Sequence, residues 1–150
     1  MAAAIRILIV DDNAPFRDAL RAFLAQEPDF EVVGEAGNLH EAMQSIAALS
    51  PRLVLTDLAM PDAHGVQAVA EIRRRYPELK ILVISSHIER AYRHQCHAAG
   101  AAGYIVKDAV FLELPKGIRS VSRGRTYFGA AALMSYDPNT SRTGLVSGST

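Results

Sequence analysis

Five short apolar runs rich in β-branched residues recur along the chain: Ile5 to Val10, Glu31 to Glu35, Leu53 to Thr56, Ile81 to Ile84, and Tyr104 to Val106. Their starts lie 22 to 28 residues apart, the interval that a strand plus a crossover helix occupies. The segments between them carry helical periodicity. Phe16, Ala19, Leu20, Phe23 and Leu24 share one face, as do Ala42, Met43, Ile46 and Ala47 in the next interval. Asn38 followed by Glu41 marks the start of that second helix, an Asx form of the capping box. Val66, Val69 and Ile72 indicate a third helix, stopped at Tyr76-Pro77.

A fourth helix is expected over Ile88 to Ala99, with Ala91, Tyr92 and the terminal alanines as its apolar side before Gly100. A fifth is expected from about Glu113 to Ser122, turning Ile118 and Val121 inward. Pro115 and Gly117 should weaken or shorten it, because proline is tolerated only in a helix's first turn. Strands that are nearly continuous apolar runs are buried on both faces, so strict βα alternation predicts a doubly wound α/β sandwich with a parallel sheet. From about Ser135 onward the chain is polar and rich in Ser, Thr, Gly and Asn, a composition that buries too little surface to order itself. The reading is a domain over residues 1–128 and a linker or disordered tail over residues 129–150.

With 150 residues and 49% hydrophobic content, the chain suits one ordinary domain. Sixteen basic side chains balance sixteen acidic ones, which gives no whole-molecule attraction to nucleic acid or an anionic membrane. Cys96 has no second cysteine to pair with, so an intrachain disulfide is excluded, in keeping with a reducing compartment. No run of about 18 apolar residues exists to span a bilayer. The N-terminal run is interrupted by Arg6 and ends in Asp11 and Asp12, unlike a signal peptide. A cytoplasmic protein with no membrane partner is expected.

In an open parallel sheet, ligands sit outside the carboxyl ends of the strands. Here those ends carry Asp11 and Asp12, then Asp57, Ser85 with Ser86, and Lys107. Folding is expected to gather them around one crevice. Clustered carboxylates resist full ionisation unless a cation joins them, and Mg2+ is commonly shared between one or two carboxylates and a phosphate. One carboxylate can then act as nucleophile towards a phosphoryl group. Lys107 and Ser85 would hold other phosphoryl oxygens, an arrangement in which position and charge stabilisation do most of the chemistry.

Taken in order, Asp11-Asp12, Asp57 followed by Met60-Pro61 and Gly65, Ser85-Ser86, and Gly103-Tyr104 with Lys107 resemble the receiver domain of bacterial two-component response regulators. The resemblance covers about residues 5 to 123. It implies a flavodoxin-like five-stranded parallel sheet, in the order 2-1-3-4-5, with five helices. It also implies a switch rather than an enzyme: Asp57 as phosphoacceptor from a sensor histidine kinase, and Mg2+ held by Asp11, Asp12, Asp57 and the backbone carbonyl of Ala59. Lys107 would pair with Asp57 and then with its phosphate. Ser85 and Tyr104 would form the switch, Ser85 moving to the phosphoryl group and the Tyr104 ring turning inward behind it. The affected surface would be that of the fourth helix, fifth strand and fifth helix, with slow self-assisted dephosphorylation.

Asp108 stands directly after Lys107, where many receivers carry proline. The Gly-Tyr-Ile-Val-Lys-Asp run and the Ile118-Arg119-Ser120-Val121, Gly124, Tyr127-Phe128 pattern instead look like the NarL/FixJ subgroup, whose output domain is a LuxR-type helix-turn-helix. No such motif is present, so the expectation is a truncated chain ending in the linker, with a stand-alone receiver as the alternative. DNA would then be reached only through a C-terminal domain. Self-association is expected through either an α4-β5-α5 or an α1-α5 face. Ala59 and His87 occupy the family's two variable positions that tune phosphoryl lifetime, and Ala59, with no side chain to orient water, implies a long-lived state.

Plainer readings stand beside these. Asp11-Asp12 alone would suit a helix cap, Arg73 to Arg75 a solvated helix face, and Cys96 a small apolar filler. His94 and His97 lie one turn apart but lack an evident third ligand for zinc. Three rivals compete with the switch. An aspartate-dependent phosphatase would need a second acid two positions after its nucleophile, where Ala59 stands. An FMN carrier would place its phosphate near Asp11 and Asp12, which repel it. A pseudo-receiver acting through partners alone would not need the acidic set.

Overall fold

The computed structural model describes residues 3–128. Its elements run β1 (Ile5–Val10), α1 (Ala14–Leu24), β2 (Phe30–Ala36), α2 (Leu39–Leu49), β3 (Leu53–Thr56), α3 (Gln67–Arg75), β4 (Lys80–Ser85), α4 (Arg90–Ala99), β5 (Gly103–Val106), a 3-10 turn (Lys107–Ala109) and α5 (Val110–Ser122). The five strands are all parallel, in the order β2-β1-β3-β4-β5. This is the flavodoxin-like topology that the sequence reading implied. The expected linker or tail over residues 129–150 lies outside the described residues.

Alternation along each strand divides the core into two layers. Ile7 and Ile9 of β1, Leu53 and Leu55 of β3, and Leu82 and Ile84 of β4 meet α1 and α5, through Leu20, Leu24, Leu114 and Ile118. Their neighbours Leu8, Val10, Val54, Ile81 and Val83 meet α2, α3 and α4 on the other face, through Ala42, Ile46, Val69, Ile72 and Cys96. Because both faces are covered, the buried stretches of the central strands are continuous apolar runs rather than alternating ones, while the edge strand β2 carries Glu31 and Glu35. Among the described residues no helix is long and apolar enough to cross a membrane.

Helix α1 is capped by Asn13, not by the Asp11-Asp12 pair: its side chain accepts from the Phe16 amide at 3.0 Å, with Pro15 in the first turn. Asn38 caps α2 as the sequence suggested, accepting from the Glu41 amide at 2.8 Å. Glu41 reaches back to the Gly37 N–H at 2.9 Å, one residue beyond the usual capping-box partner. Helix α4 ends at Gly100, in the left-handed region at φ 112°.

Two helices differ from expectation. In α4, Ala91 and Ala98 are exposed and the buried residue is Cys96, with Tyr92 and Ala99 half-buried. Helix α5 begins at Val110, before the expected Glu113, so Pro115 falls in its second turn and the helix still runs on to Ser122. Val110, Leu114, Ile118 and Val121 are buried on its inner face. At roughly 1.5–3 kcal/mol each, their burial outweighs interior costs of about 3 kcal/mol for proline and about 1 kcal/mol for glycine.

Beyond α5 the chain returns along the open edge of β5. The Tyr127 carbonyl accepts from the Tyr104 amide at 2.8 Å, and the Tyr127 amide donates to the Ala102 carbonyl at 2.9 Å. Tyr127 thereby forms a parallel bridge with Gly103 and covers part of an otherwise unpaired edge. A Cβ on Gly103 would lie 2.5 Å from that carbonyl oxygen, so the close approach requires glycine. Phe128, which follows, is buried in the same core layer as Tyr104 and Cys96.

Candidate functional site

Parallel strands end together, so the polar residues that follow them converge at the carboxyl edge of the sheet. Asp11 follows β1 and is only 2% exposed. Its Oδ1 accepts from the Asn13 amide at 2.8 Å, while Oδ2 lies 3.2 Å from Lys107 Nζ. Asp57 follows β3 and is 7% exposed. Its Oδ1 accepts from the amides of Leu58 at 2.7 Å and Ala59 at 3.2 Å, and its Oδ2 from Lys107 Nζ at 3.0 Å. Asp12 is exposed at the mouth. Asp11, Asp12 and Asp57 each offer an oxygen within 4.8 Å of the others.

Lys107 reaches this cluster from the turn after β5, its ammonium 4.6 Å from the centre of the Phe16 ring. Burial alone would lower its pKa, but the hydrogen bond and charge of Asp57, joined by those of Asp11, push it above the ordinary lysine value. It therefore stays charged. Burial raises the Asp11 pKa, against the opposing pull of the Asn13 amide and of Lys107, and the neighbouring Asp57 charge adds to the rise. One ammonium shared between two carboxylates leaves the cluster with excess negative charge. Oxygen donors, carboxylate chemistry and an exposed mouth at Asp12 fit a small, hard divalent cation.

Ser85 ends β4, the next strand along, and Tyr104 lies on β5 beside it. Ser85 is fully buried and its Oγ accepts from the His87 amide at 3.1 Å. The Tyr104 hydroxyl donates to the His87 carbonyl at 2.7 Å. Both side chains thus hold the peptide groups of one residue in the β4–α4 loop. The Tyr104 ring is 1% exposed and burial raises its pKa. The resemblance assigns that inward ring to the phosphorylated state; here it is already inward, anchored by His87, with the Arg93 guanidinium 5.7 Å from its centre. The His87 ring stacks on Tyr92 at 4.1 Å. Together with Asp12, Ala59, Met60 and His64, these rings line a cleft of about 490 Å3 that opens beside the acidic cluster.

The structure brings together Asp11, Asp12, Asp57 and Lys107, with Ser85 and Tyr104 adjoining through His87 and Ala59 at the edge of the cleft. Three supporting residues were not singled out from the sequence. Asn13 fixes Asp11 through its amide while its own side chain caps α1, and an Asn just before a helical pattern was a visible signal for the cap. Arg17 donates to the Asp11 carbonyl and, at 3.0 Å, to Glu35, which also accepts from Arg21 at 2.6 Å. Asp62 accepts from the Leu39 and His40 amides at the start of α2. The last two contacts join distant segments and leave no local mark.

Comparison with known proteins places the fold in a family. A family model described as the response regulator receiver domain matches residues 7–119. The transcriptional regulatory protein DegU of Brevibacillus brevis is 34% identical over 123 residues, covering 82% of this chain and 52% of that protein. The DNA-binding transcriptional activator DevR/DosR of Mycobacterium tuberculosis is 34% identical over 133 residues, covering 87% and 61%. The chain thus spans between half and two-thirds of these relatives' length. Among solved structures, a LuxR-family two-component response regulator from Aurantimonas sp. SI85-9A1 superposes with a TM-score of 0.85 at 27% identity, covering 95% of this chain and all of that one. The signal receiver domain of Mycobacterium tuberculosis NarL gives 0.77 at 32% identity, covering 83% and 100%.

Proposed function

The chain belongs to the response regulator receiver domain family, with relatives among LuxR and NarL-type regulators, and from that membership we propose that it is a phosphorylation-driven switch with Asp57 as the phosphoacceptor. The donor would be the phosphohistidine of a sensor histidine kinase. The observation that carries this reading is the convergence of Asp57 with two further carboxylates and one ammonium at the ends of three strands.

In the transfer, a carboxylate oxygen of Asp57 attacks phosphorus as the bond to the donor's imidazole nitrogen breaks. Asp57 is presented for this role by two backbone amides and by Lys107, so its orientation is fixed before the donor arrives. Asp11, Asp12, Asp57 and the Ala59 carbonyl would hold Mg2+, which when bound neutralises charge on the phosphoryl oxygens. Lys107 is already charged and stays close enough to follow the new phosphate. Ser85 would exchange its hydrogen bond with the His87 amide for one to the phosphate. Because Tyr104 holds the His87 carbonyl, that exchange reaches the α4-β5-α5 surface through the β4–α4 loop.

The relatives named as transcriptional regulators support a transcriptional output, with DNA reached through a further domain. Of the two faces considered for self-association, α1-α5 is favoured: Phe111 is 46% exposed and Leu112 86% exposed at the start of α5. Phe111 meets Phe23 of α1 edge-on at 5.1 Å, so the apolar surface is continuous across both helices.

Intact-mass spectrometry tests the central claim. Incubation with Mg2+ and a small phosphodonor is expected to add one alkali-labile phosphoryl group, and Asp57→Ala to abolish it. Incorporation that persists in the variant refutes the assignment.

A further inference from the structure

We propose that Asp62 is a positioning residue for the cation site, acting by fastening the loop after β3 to the N-terminus of α2; the proposal rests on the reading of Ala59 as a backbone ligand beside Asp11, Asp12 and Asp57. Asp62 lies in the turn that Met60 and Ala63 close, the Ala63 amide facing the Met60 carbonyl at 3.4 Å. Its two carboxylate oxygens accept from consecutive amides of α2: Oδ1 from Leu39 at 2.8 Å and Oδ2 from His40 at 3.0 Å. These belong to the first turn, whose N–H groups have no partner inside the helix. The Leu39 amide, with that of His40 in support, holds the Asp62 carboxyl below the usual range, so the anchor is charged at neutral pH.

Asn38 takes the Glu41 amide and Glu41 that of Gly37, so Asp62 completes the cap of α2 on the Leu39 and His40 amides, and it does so from a different segment of the chain. Helix α3, to which the loop leads, has no side-chain cap at all. Leu58, Met60 and Ala63 bury their side chains in the core, and on its polar side the loop is held from both ends of its cation-facing stretch. Upstream, Asp57 Oδ1 takes the amides of Leu58 and Ala59; downstream, Asp62 grips α2. The Ala59 carbonyl lies between the two anchors, and a small cation with strict octahedral demands is sensitive to the orientation of such a ligand. Release of Asp62 leaves Met60 and Ala63 packed in the core and every carboxylate of the cluster in place, but loosens the backbone between them and with it the orientation of the Ala59 carbonyl.

The test is an Mg2+ titration of 15N-labelled full chain, followed by amide shifts, on wild type, Asp62→Ala, Asp62→Asn, Asn38→Ala and Asp57→Ala. Asp62→Ala is expected to weaken Mg2+ binding roughly tenfold or more, and Asp62→Asn, which keeps one acceptor oxygen, by less. Asn38→Ala removes the helix's own cap, so it is expected to lower thermal stability while leaving the Kd at the wild-type value. The same spectra report whether each variant is folded. Wild-type affinity in Asp62→Ala overturns the proposal, and so does equal weakening by Asp62→Ala and Asn38→Ala, which would reduce the effect to loosening of α2. Unchanged binding in Asp57→Ala would instead sink the cation-site reading, and this inference with it.

Discussion

Replacing Asp12 by asparagine isolates the electrostatic cost of the acidic cluster. The side chain is exposed and no hydrogen bond within the described residues uses its carboxylate, so the change removes charge without breaking a contact. Its oxygen lies within 4.8 Å of oxygens on both Asp11 and Asp57. At that distance each repulsion is about 0.9 kcal/mol in bulk water and about 3.5 kcal/mol at an effective permittivity near 20. Exposure places Asp12 near the lower figure, and Lys107, whose ammonium pairs with Asp11 and Asp57, offsets part of the sum. A net gain of about 1 kcal/mol is expected for Asp12→Asn without metal, or about 2–4 °C for a domain of this size.

Divalent metal should invert that ranking. A cation that binds only the folded chain stabilises it by RT ln(1 + [L]/Kd), about 2.7 kcal/mol at a hundredfold excess over Kd. Asp12→Asn, lacking one charged donor, should gain much less. Urea unfolding followed by circular dichroism, once in EDTA and once in saturating MgCl2, measures both halves. A variant no more stable than wild type in EDTA, or one that gains as much from Mg2+, would show that the three carboxylates do not act as one electrostatic unit.

Two further outcomes follow from packing and charge. Gly103→Ala places a Cβ 2.5 Å from the Tyr127 carbonyl oxygen, a backbone atom that cannot withdraw without disturbing the Tyr104 amide, and should cost about 1–3 kcal/mol. Gly117→Ala meets only the Ile105 and Tyr127 side chains, at 3.0 and 3.2 Å. A helix-propensity gain of about 1 kcal/mol opposes that crowding, leaving it near neutral. Denaturant midpoints that reverse this order would rule out the edge position of Tyr127. At acid pH, the hydrogen bond from Arg21, aided by that from Arg17, holds the Glu35 carboxyl below its ordinary value of 4.5. Below that value the unfolded chain binds the proton first, so the contribution of Glu35 is full above pH 4.5 and lost as pH falls through the depressed value. Glu35→Gln should therefore flatten the acid limb of a stability–pH profile, and an unchanged slope would refute the pairing.

The strand positions and the acidic cluster were legible because both follow from burial. The buried stretch of a central parallel strand is apolar, so the first polar residue after it marks the site edge without reference to tertiary contacts. Asp11, Asp57, Ser85 and Lys107 were found in this way. The limits of α5 were not legible, because a local rule about Pro115 competes with four buried side chains that only the folded sheet supplies. In α4 the apolar stripe was only partly legible: Tyr92 and Ala99 pack against the core as expected, but the fully buried residue is Cys96, and Ala91 and Ala98 are exposed. Burial pushes that thiol up to about 12, which makes it filler rather than nucleophile.

Gly103-Tyr104 shows what a motif leaves unsaid about its own cause. The pair was legible only as a resemblance, and the resemblance concerns the tyrosine. In the fold, the glycine is required by Tyr127, whose carbonyl occupies the space a side chain would take and accepts the Tyr104 amide. The ring above that amide packs in the layer that also buries Phe128, while its hydroxyl holds the loop that carries His87. One residue therefore touches the β4–α4 loop through its side chain and the returning chain through its backbone. A rearrangement at Ser85 that shifts Tyr104 must be accommodated at both contacts, and Gly103 keeps the second of them open.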